Sequence, residues 1–266
     1  MREQLRTMTD GKPTQTRGEH ANSTQKGPRR LLGSNPEPSC LMADTRTFAD
    51  VRNTILSAHE NTETKEKVAF YNTWAESYEQ DTAILDYRAP FLAAECVASH
   101  FTSEKERAII LDVACGTGLV SRHLKKMGFR HFVGVDGSEG MLNLAKKPGL
   151  FQEVKQCMLG QDPLPVQDES YDVVVIVGGL SFGNVPVPVI KELWQATKPG
   201  GFVCMTTRGN IDNLEYKAEL ERVIQSMEEE KKWHRVSVTV VDEWEKAVSE
   251  LESGYIPGVI YLYQRT

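Results

Sequence analysis

Apolar positions along this chain keep two rhythms, preceded by a stretch that keeps neither. Residues 1–45 are rich in Gly, Pro, Ser, Thr, Asn and Gln, with Pro-Arg-Arg at 28–30 and Asn-Pro-Glu-Pro at 35–38. A segment of that make-up buries too little surface to offset the entropy of ordering it, and a disordered extension is predicted there. From Phe48 the spacing turns helical. FADVRNTILSAH (48–59), a segment opened by Glu63 or Thr64 and running through KVAFYNTWAESYEQ, and LDYRAPFLAAECVASHF (85–101) predict three helices, the last with Pro90 in its first turn. After that the rhythm alternates. AIILDVA (108–114) is a continuous apolar run, as suits a strand buried on both faces. HFVGVD (131–136), VKQCML (154–159), YDVVVIVGG (171–179) and GFVCMTT (201–207) follow, separated by helical patterns, with Ser138 placed to cap EGMLNLAKK. A charged helix is predicted over 213–232, then strands at 235–241 and 258–264. WEKAVSELESG between them reads as a short helix or an irregular link.

Alternation at this spacing predicts an α/β fold: a mostly parallel sheet with helices on both faces, its last pair of strands closing it antiparallel. The division expected is an extension over 1–45, a helical lid over 46–105 and a sheet domain over 106–266.

Composition narrows the chemistry. The 266 residues carry a net charge of −6, which argues against a dedicated nucleic-acid surface. The five cysteines are scattered without a CxxC pair, so neither a disulfide framework nor a zinc site is expected. The chain lacks an 18-residue apolar run and an apolar leader at its N-terminus, and a cytosolic location, with the nucleus also open, is the expectation.

The stretch LDVACGTGLV (111–120) carries the site. Gly116 and Gly118 lie between the first strand and the next helix, where open α/β sheets bind ligands. Without Cβ atoms there, backbone N–H groups approach a ligand closely. A dinucleotide would want a third glycine where Ser121 stands, and Asp112 would face its pyrophosphate, like charge on like. S-adenosylmethionine has no phosphate. Asp112 suits its ammonium, and Asp136, ending the second strand, suits the two ribose hydroxyls.

In order, DVACGTG, GVDGSEGML, SYDVVVIVGGL and KPGGFVCMTTR resemble the four motifs of class I S-adenosylmethionine-dependent methyltransferases, over about residues 65–265. FYNTWAESYEQD, LDYRAP, LGQDPLP, NLEYK and GVIYLYQR narrow the likeness to one branch of that class, whose chains begin near the position of Met42. The resemblance implies a Rossmann-like fold with a seven-stranded, mostly parallel sheet and an antiparallel final strand. It implies S-adenosyl-L-methionine as cofactor, along Ala114, Cys115, Gly116 and Gly118. Gly137 and Met141 would follow Asp136 around the adenosine. Leu159 and Gly160 would border the adenine, in a slot where many relatives place an aspartate, with Asp162 or backbone supplying the amino contact. Val177 and Gly178 would lie under the sulfonium. In the lid, Tyr78 would close over the cofactor and Arg88 pair with its carboxylate. Tyr71, Trp74, Phe182 and Arg208 are the candidates for the acceptor pocket, with Asn184 and Tyr216 beside them. No general base is assigned, and the histidines fall outside the expected crevice.

The segment after the fourth strand, VGGLSFGN, lacks an NPPY-like sequence, which together with the acidic charge argues against a nucleic-acid acceptor. A small-molecule methyl acceptor is the first reading and a protein side chain the second. A third is a cofactor-binding partner protein without catalysis. A monomer is expected.

Overall fold

The computed structural model describes residues 46–59, 64–249 and 251–266. The extension expected over 1–45 lies outside them. Seven strands form one sheet: β1 (Ile109–Val113), β2 (His131–Asp136), β3 (Glu153–Gln156), β4 (Tyr171–Ile176), β5 (Thr197–Arg208), β6 (Trp233–Lys246) and β7 (Tyr255–Arg265). Their order is β3-β2-β1-β4-β5-β7-β6. β1 to β5 run parallel, and β7 is inserted antiparallel between β5 and β6. The order reverses between β1 and β4, so the loops leaving those strands diverge and open a crevice at their carboxyl ends.

The helices are α1 (Phe48–His59), α2 (Thr64–Trp74), α3 (Tyr78–Ile84), α4 (Ala89–His100), α5 (Leu119–Lys126), α6 (Glu139–Lys146), α7 (Val189–Ala196) and α8 (Leu214–Glu229). One core packs α7 and α8 on the sheet through Ile190, Leu193, Leu220 and Ile224. On the other face α4 and α5 pack through Ala93, Val97, Val120 and Leu124. Ser138 caps α6 as its sequence position suggests, its Oγ accepting from Met141 N at 3.2 Å.

Two local predictions need correcting. The helix expected to run from Thr64 past Tyr78 breaks at a 3-10 turn over Ala75–Ser77. The break lets the Trp74 indole N–H donate to Asp81 Oδ2 at 2.7 Å, while Arg46 Nε donates to Asp81 Oδ1 at 2.6 Å. Asp81 is completely buried, and these charge-assisted bonds are what make that tolerable. The segment 244–254 does not open with a helix. Instead β6 continues through Trp244, Glu245 and Lys246, with a shift of register after Val241. The bulge buries Trp244 against Gly258, whose missing Cβ leaves room for the indole.

Candidate functional site

The site is built on the loop after β1. Asp112 sits in the middle of the sheet, opposite Gly134 of β2 and Val175 of β4, and is buried. Its Oδ2 accepts a 2.6 Å hydrogen bond from Ser121 Oγ, so the serine standing where a dinucleotide fold would want glycine holds this carboxylate. Its Oδ1 is buried without a partner. Burial pushes the Asp112 carboxyl up to about 7, against the Ser121 bond that lowers it. Thr117 Oγ1, in the same loop, is a second buried oxygen without a partner. Both residues line a recess of about 300 Å³ together with Ala114, Cys115 and Gly116.

The loop is held by Asp136. Its Oδ2 accepts from Gly116 N and its Oδ1 from Ser138 N, each at 2.8 Å. One carboxylate thus ties the turns after β1 and β2 together. Burial raises its pKa, and the N–H bonds from Ser138 and Gly116 pull the other way. Gly116 takes φ +53°, a left-handed conformation, and a Cβ there would meet nothing within 4 Å. It therefore serves the turn and the open space beside it.

Asp136, Ala114, Gly116, Gly137, Met141, Leu159, Val177, Gly178 and Tyr78 all line one cavity. It spans about 760 Å³, part of it open to solvent, within the range of small-molecule sites. Tyr78, Ala114, Gly116 and Val177 also line the recess that holds Asp112, so the two spaces adjoin.

The helices before the sheet close this cavity. Asn72 of α2 accepts from Ser138 Oγ at 2.7 Å and from Gly140 N at 2.9 Å. A Cβ on Gly140 would come within 2.9 Å of the Asn72 carbonyl, so the approach of α2 to α6 depends on that glycine. Tyr71 and Tyr78 are thereby brought over the sheet, and burial raises the pKa of both hydroxyls.

A second cavity of about 820 Å³ adjoins the first. Lys67, Tyr71, Tyr78, Gly178 and Asn184 line both. Tyr71, Trp74, Phe182 and Arg208, widely separated in sequence, all line this second cavity. Phe182 lies at its rim and is 73% exposed. The tyrosine hydroxyl of Tyr71 faces Asn184 Oδ1 at 3.4 Å.

Five expected site residues line neither cavity nor the recess. Arg88 lines neither cavity: its Nη1 donates to the Glu243 carbonyl at 3.0 Å and lies 3.4 Å from the Glu243 carboxylate. It precedes α4 on the side facing β6. Gly118 takes φ +88° and caps α5, and a Cβ there would meet Phe151 at 2.9 Å, so its role is in packing. Gly160, with φ +82°, packs on Pro186, where a Cβ would overlap the ring at 2.1 Å. Asp162, considered for the same adenine contact, bonds back to Met158 N at 3.4 Å. Tyr216 is buried with its hydroxyl on the Val185 carbonyl at 2.6 Å, bracing the loop from behind.

Other lining residues went unread: Lys67, Val68 and Met158 in the first cavity, and Phe70, Tyr87, Trp244 and Glu245 in the second. Tyr87 has a signal in the sequence, since it stands beside Arg88 in LDYRAP. Its hydroxyl reaches Gly178, where a Cβ would come within 2.3 Å. Among the described residues no group of His, Cys, Asp and Glu could hold a metal, and no helix is long and apolar enough to cross a membrane.

Comparison with known proteins gives this geometry its class. A family profile described as a methyltransferase domain matches residues 111–205, the span from β1 into β5. Methyltransferase-like protein 27 of Homo sapiens is 47% identical over 196 residues, covering 74% of this chain and 80% of that protein. Demethylmenaquinone methyltransferase of Bacillus subtilis is 36% identical over 111 residues, 39% of this chain and 47% of that protein. An S-adenosylmethionine-dependent methyltransferase of Thermotoga maritima shares the fold with a TM-score of 0.51 at 20% identity, covering 74% of this chain and 98% of that one. A chain from the complex of the Haloferax volcanii Trm112 methyltransferase activator with a methyltransferase does so with 0.55 at 15% identity, covering 73% and 95%.

Fold, glycine turn and paired carboxylates are those of an S-adenosylmethionine-dependent methyltransferase. Within that class the chain belongs to the family of methyltransferase-like protein 27. The unpartnered oxygens fit the cofactor: a buried acceptor without a donor at Asp112 matches an ammonium, and Thr117 Oγ1 can donate to a carboxylate.

Proposed function

We propose that this chain transfers a methyl group to a small molecule held in the second cavity. Asp112 and Thr117 would hold the amino-acid end of S-adenosylmethionine, Asp136 the ribose hydroxyls, and Met141 and Leu159 the faces of the adenine. When bound, the cofactor supplies a methyl carbon on a cationic sulfur, a leaving group that departs as a neutral thioether. The chain's own part is alignment and exclusion of water. Asp136 keeps both its oxygens in fixed positions through two backbone N–H bonds. Gly178, whose missing Cβ admits the Tyr87 hydroxyl, lies at the boundary between the cavities, and its N–H is fixed by Thr206 Oγ1 at 3.0 Å. Tyr71 and Tyr78 cover that boundary.

The observation that carries the reading is the adjoining pair of cavities with a shared wall. One, with its adjoining recess, has the carboxylates the cofactor needs; the other is aromatic and sized for a small molecule. An acceptor that reaches in from a protein surface would need an open groove, and α2 and α3 cover this one.

The test is calorimetric titration of the purified chain with S-adenosylmethionine, S-adenosylhomocysteine and NAD. Micromolar binding of both sulfur compounds and none of NAD is the expected result. Failure of both to bind would refute the cofactor assignment.

A further inference from the structure

The second cavity has unlike sides. Toward the first cavity it offers Tyr71, Tyr78 and Gly178. Away from it stand Arg208 and Glu245, which border a further small recess rather than the cofactor space.

Arg208 ends β5, its carbonyl fixed by Asn213 Nδ2 at 2.7 Å. Its side chain is three-quarters buried, at 25% exposure. A guanidinium has five N–H donors and does not lose its charge in a protein. Here its side-chain partners are Ser181 Oγ at 3.4 Å and Glu245 Oε1 at 3.9 Å. Both exceed the ordinary length of an N–H···O bond. A largely buried cation with such long contacts is short of acceptors, which is costly unless a ligand completes its shell. Lys67 faces the same space, and its amine is held below the usual lysine range first by burial and then by repulsion from Arg208. Two cations and one carboxylate therefore line the cavity. Burial raises the Glu245 carboxyl and Arg208 lowers it, so this carboxylate answers to the arginine beside it.

The walls between the two sides are aromatic. Tyr71, Trp74 and Tyr78 lie with ring centroids 5.9 and 4.9 Å apart along the series, and Phe70 backs Trp74 at 5.4 Å. The Trp74 N–H is already bonded to Asp81, so the indole offers only its face. These rings are in contact and make one continuous aromatic wall, which suits the face of a flat apolar body.

We infer that the methyl acceptor is a small, planar, apolar molecule carrying a carboxylate, which seats on Arg208 while the nucleophilic atom lies at the opposite end beside Tyr71 and Gly178. The inference rests on the methyltransferase reading above. Arg208 is then a specificity-determining residue that does not touch the reacting atoms, and Glu245 positions it.

The test uses the full chain saturated with S-adenosylhomocysteine, whose binding is measured first. Fluorine NMR then follows titration with 4-fluorobenzoate, 4-fluorobenzamide and 4-fluorobenzylamine, matched in size and differing in charge. The benzoate should bind at least tenfold more tightly than the other two. Arg208→Gln should remove that preference without changing S-adenosylhomocysteine affinity, and Arg208→Lys should restore part of it. Tighter binding of the benzylamine would mean that Glu245 dominates, and would overturn the inference. So would a benzoate affinity unchanged in Arg208→Gln, or no binding of the benzoate at all. Should Arg208→Gln fail to fold, the ranking of the three probes on the unaltered chain still decides. Loss of S-adenosylhomocysteine binding in the unaltered chain would instead strike the methyltransferase reading.

Discussion

Asp112→Asn should make the unliganded protein more stable and its cofactor site useless. The side chain keeps its shape and still accepts from Ser121, so the change isolates the charge. Asp112 ionises with a pKa raised from 3.8 to about 7 by burial. At about 1.36 kcal/mol per pH unit, its ionisation within the fold costs about 4 kcal/mol. The sign follows from linkage: a carboxyl whose folded pKa lies above the unfolded one exacts nothing at low pH, and an increasing penalty as pH climbs from about 4 to about 7. The asparagine escapes that penalty. Its NH2 takes the place of Oδ1, where no acceptor stands, which returns about 1–3 kcal/mol of the gain. The variant should then exceed the unaltered chain by about 1–3 kcal/mol above pH 7. In a chain of this size that is a rise in melting temperature of at least about 2 °C, and the gap should close toward pH 4. S-adenosylhomocysteine, which keeps the ammonium, should bind the variant at least about 30-fold more weakly, as expected when one partner of a buried charge pair is removed. Binding to the unaltered chain should weaken about tenfold per unit below pH 7. Thermal melts and calorimetry at both ends of this range check the set. A variant that melts no higher at pH 8 and binds as before would refute the reasoning.

Asp136→Ala should lower S-adenosylhomocysteine affinity by about a hundredfold or more, since two charge-assisted bonds that hold the turns are lost with it; calorimetric retention within threefold would remove the ribose assignment. Gly178→Ala combines a left-handed φ of +79° with a Cβ 2.3 Å from Tyr87 Oη, and should cost about 2 kcal/mol or more in denaturant unfolding. Adding Tyr87→Phe should recover only the steric part. Asn72→Ala unpins α2 from α6, and limited proteolysis should cut within α2 faster, with weaker cofactor binding because Tyr71 and Tyr78 lose their anchor.

Most of the sheet was legible because β1, β2, β4 and much of β5 are apolar, largely buried runs bounded by turn residues. α1 and the cap at Ser138 followed from spacing alone. The glycine turn and its two aspartates were legible because chemistry demands those residue types at those places. What escaped the sequence was set by contacts distant along the chain. Trp74 and Asp81 break a helix that periodicity carries through, and Arg46 completes the arrangement from 35 positions away. Arg88 and Glu243 meet across 155 positions, which took the arginine out of the site. Glu245 reaches the second cavity because β6 shifts register after Val241, a bulge with no signature in the sequence. Gly118 and Gly160 were glycines for the sake of Phe151 and Pro186, and a glycine does not announce which neighbour it makes room for.

The wall shared by the two cavities also bears on the order of events in turnover. Tyr71, Tyr78 and Gly178 face both spaces, so whatever fills the first cavity becomes part of the surface that the second presents. An acceptor arriving first meets a slot open at its reactive end. One arriving second meets a closed slot with the methyl group at its floor. If the second cavity takes the acceptor as proposed, turnover should be sequential, with the cofactor entering first and its demethylated product leaving last, an order that product-inhibition patterns would check.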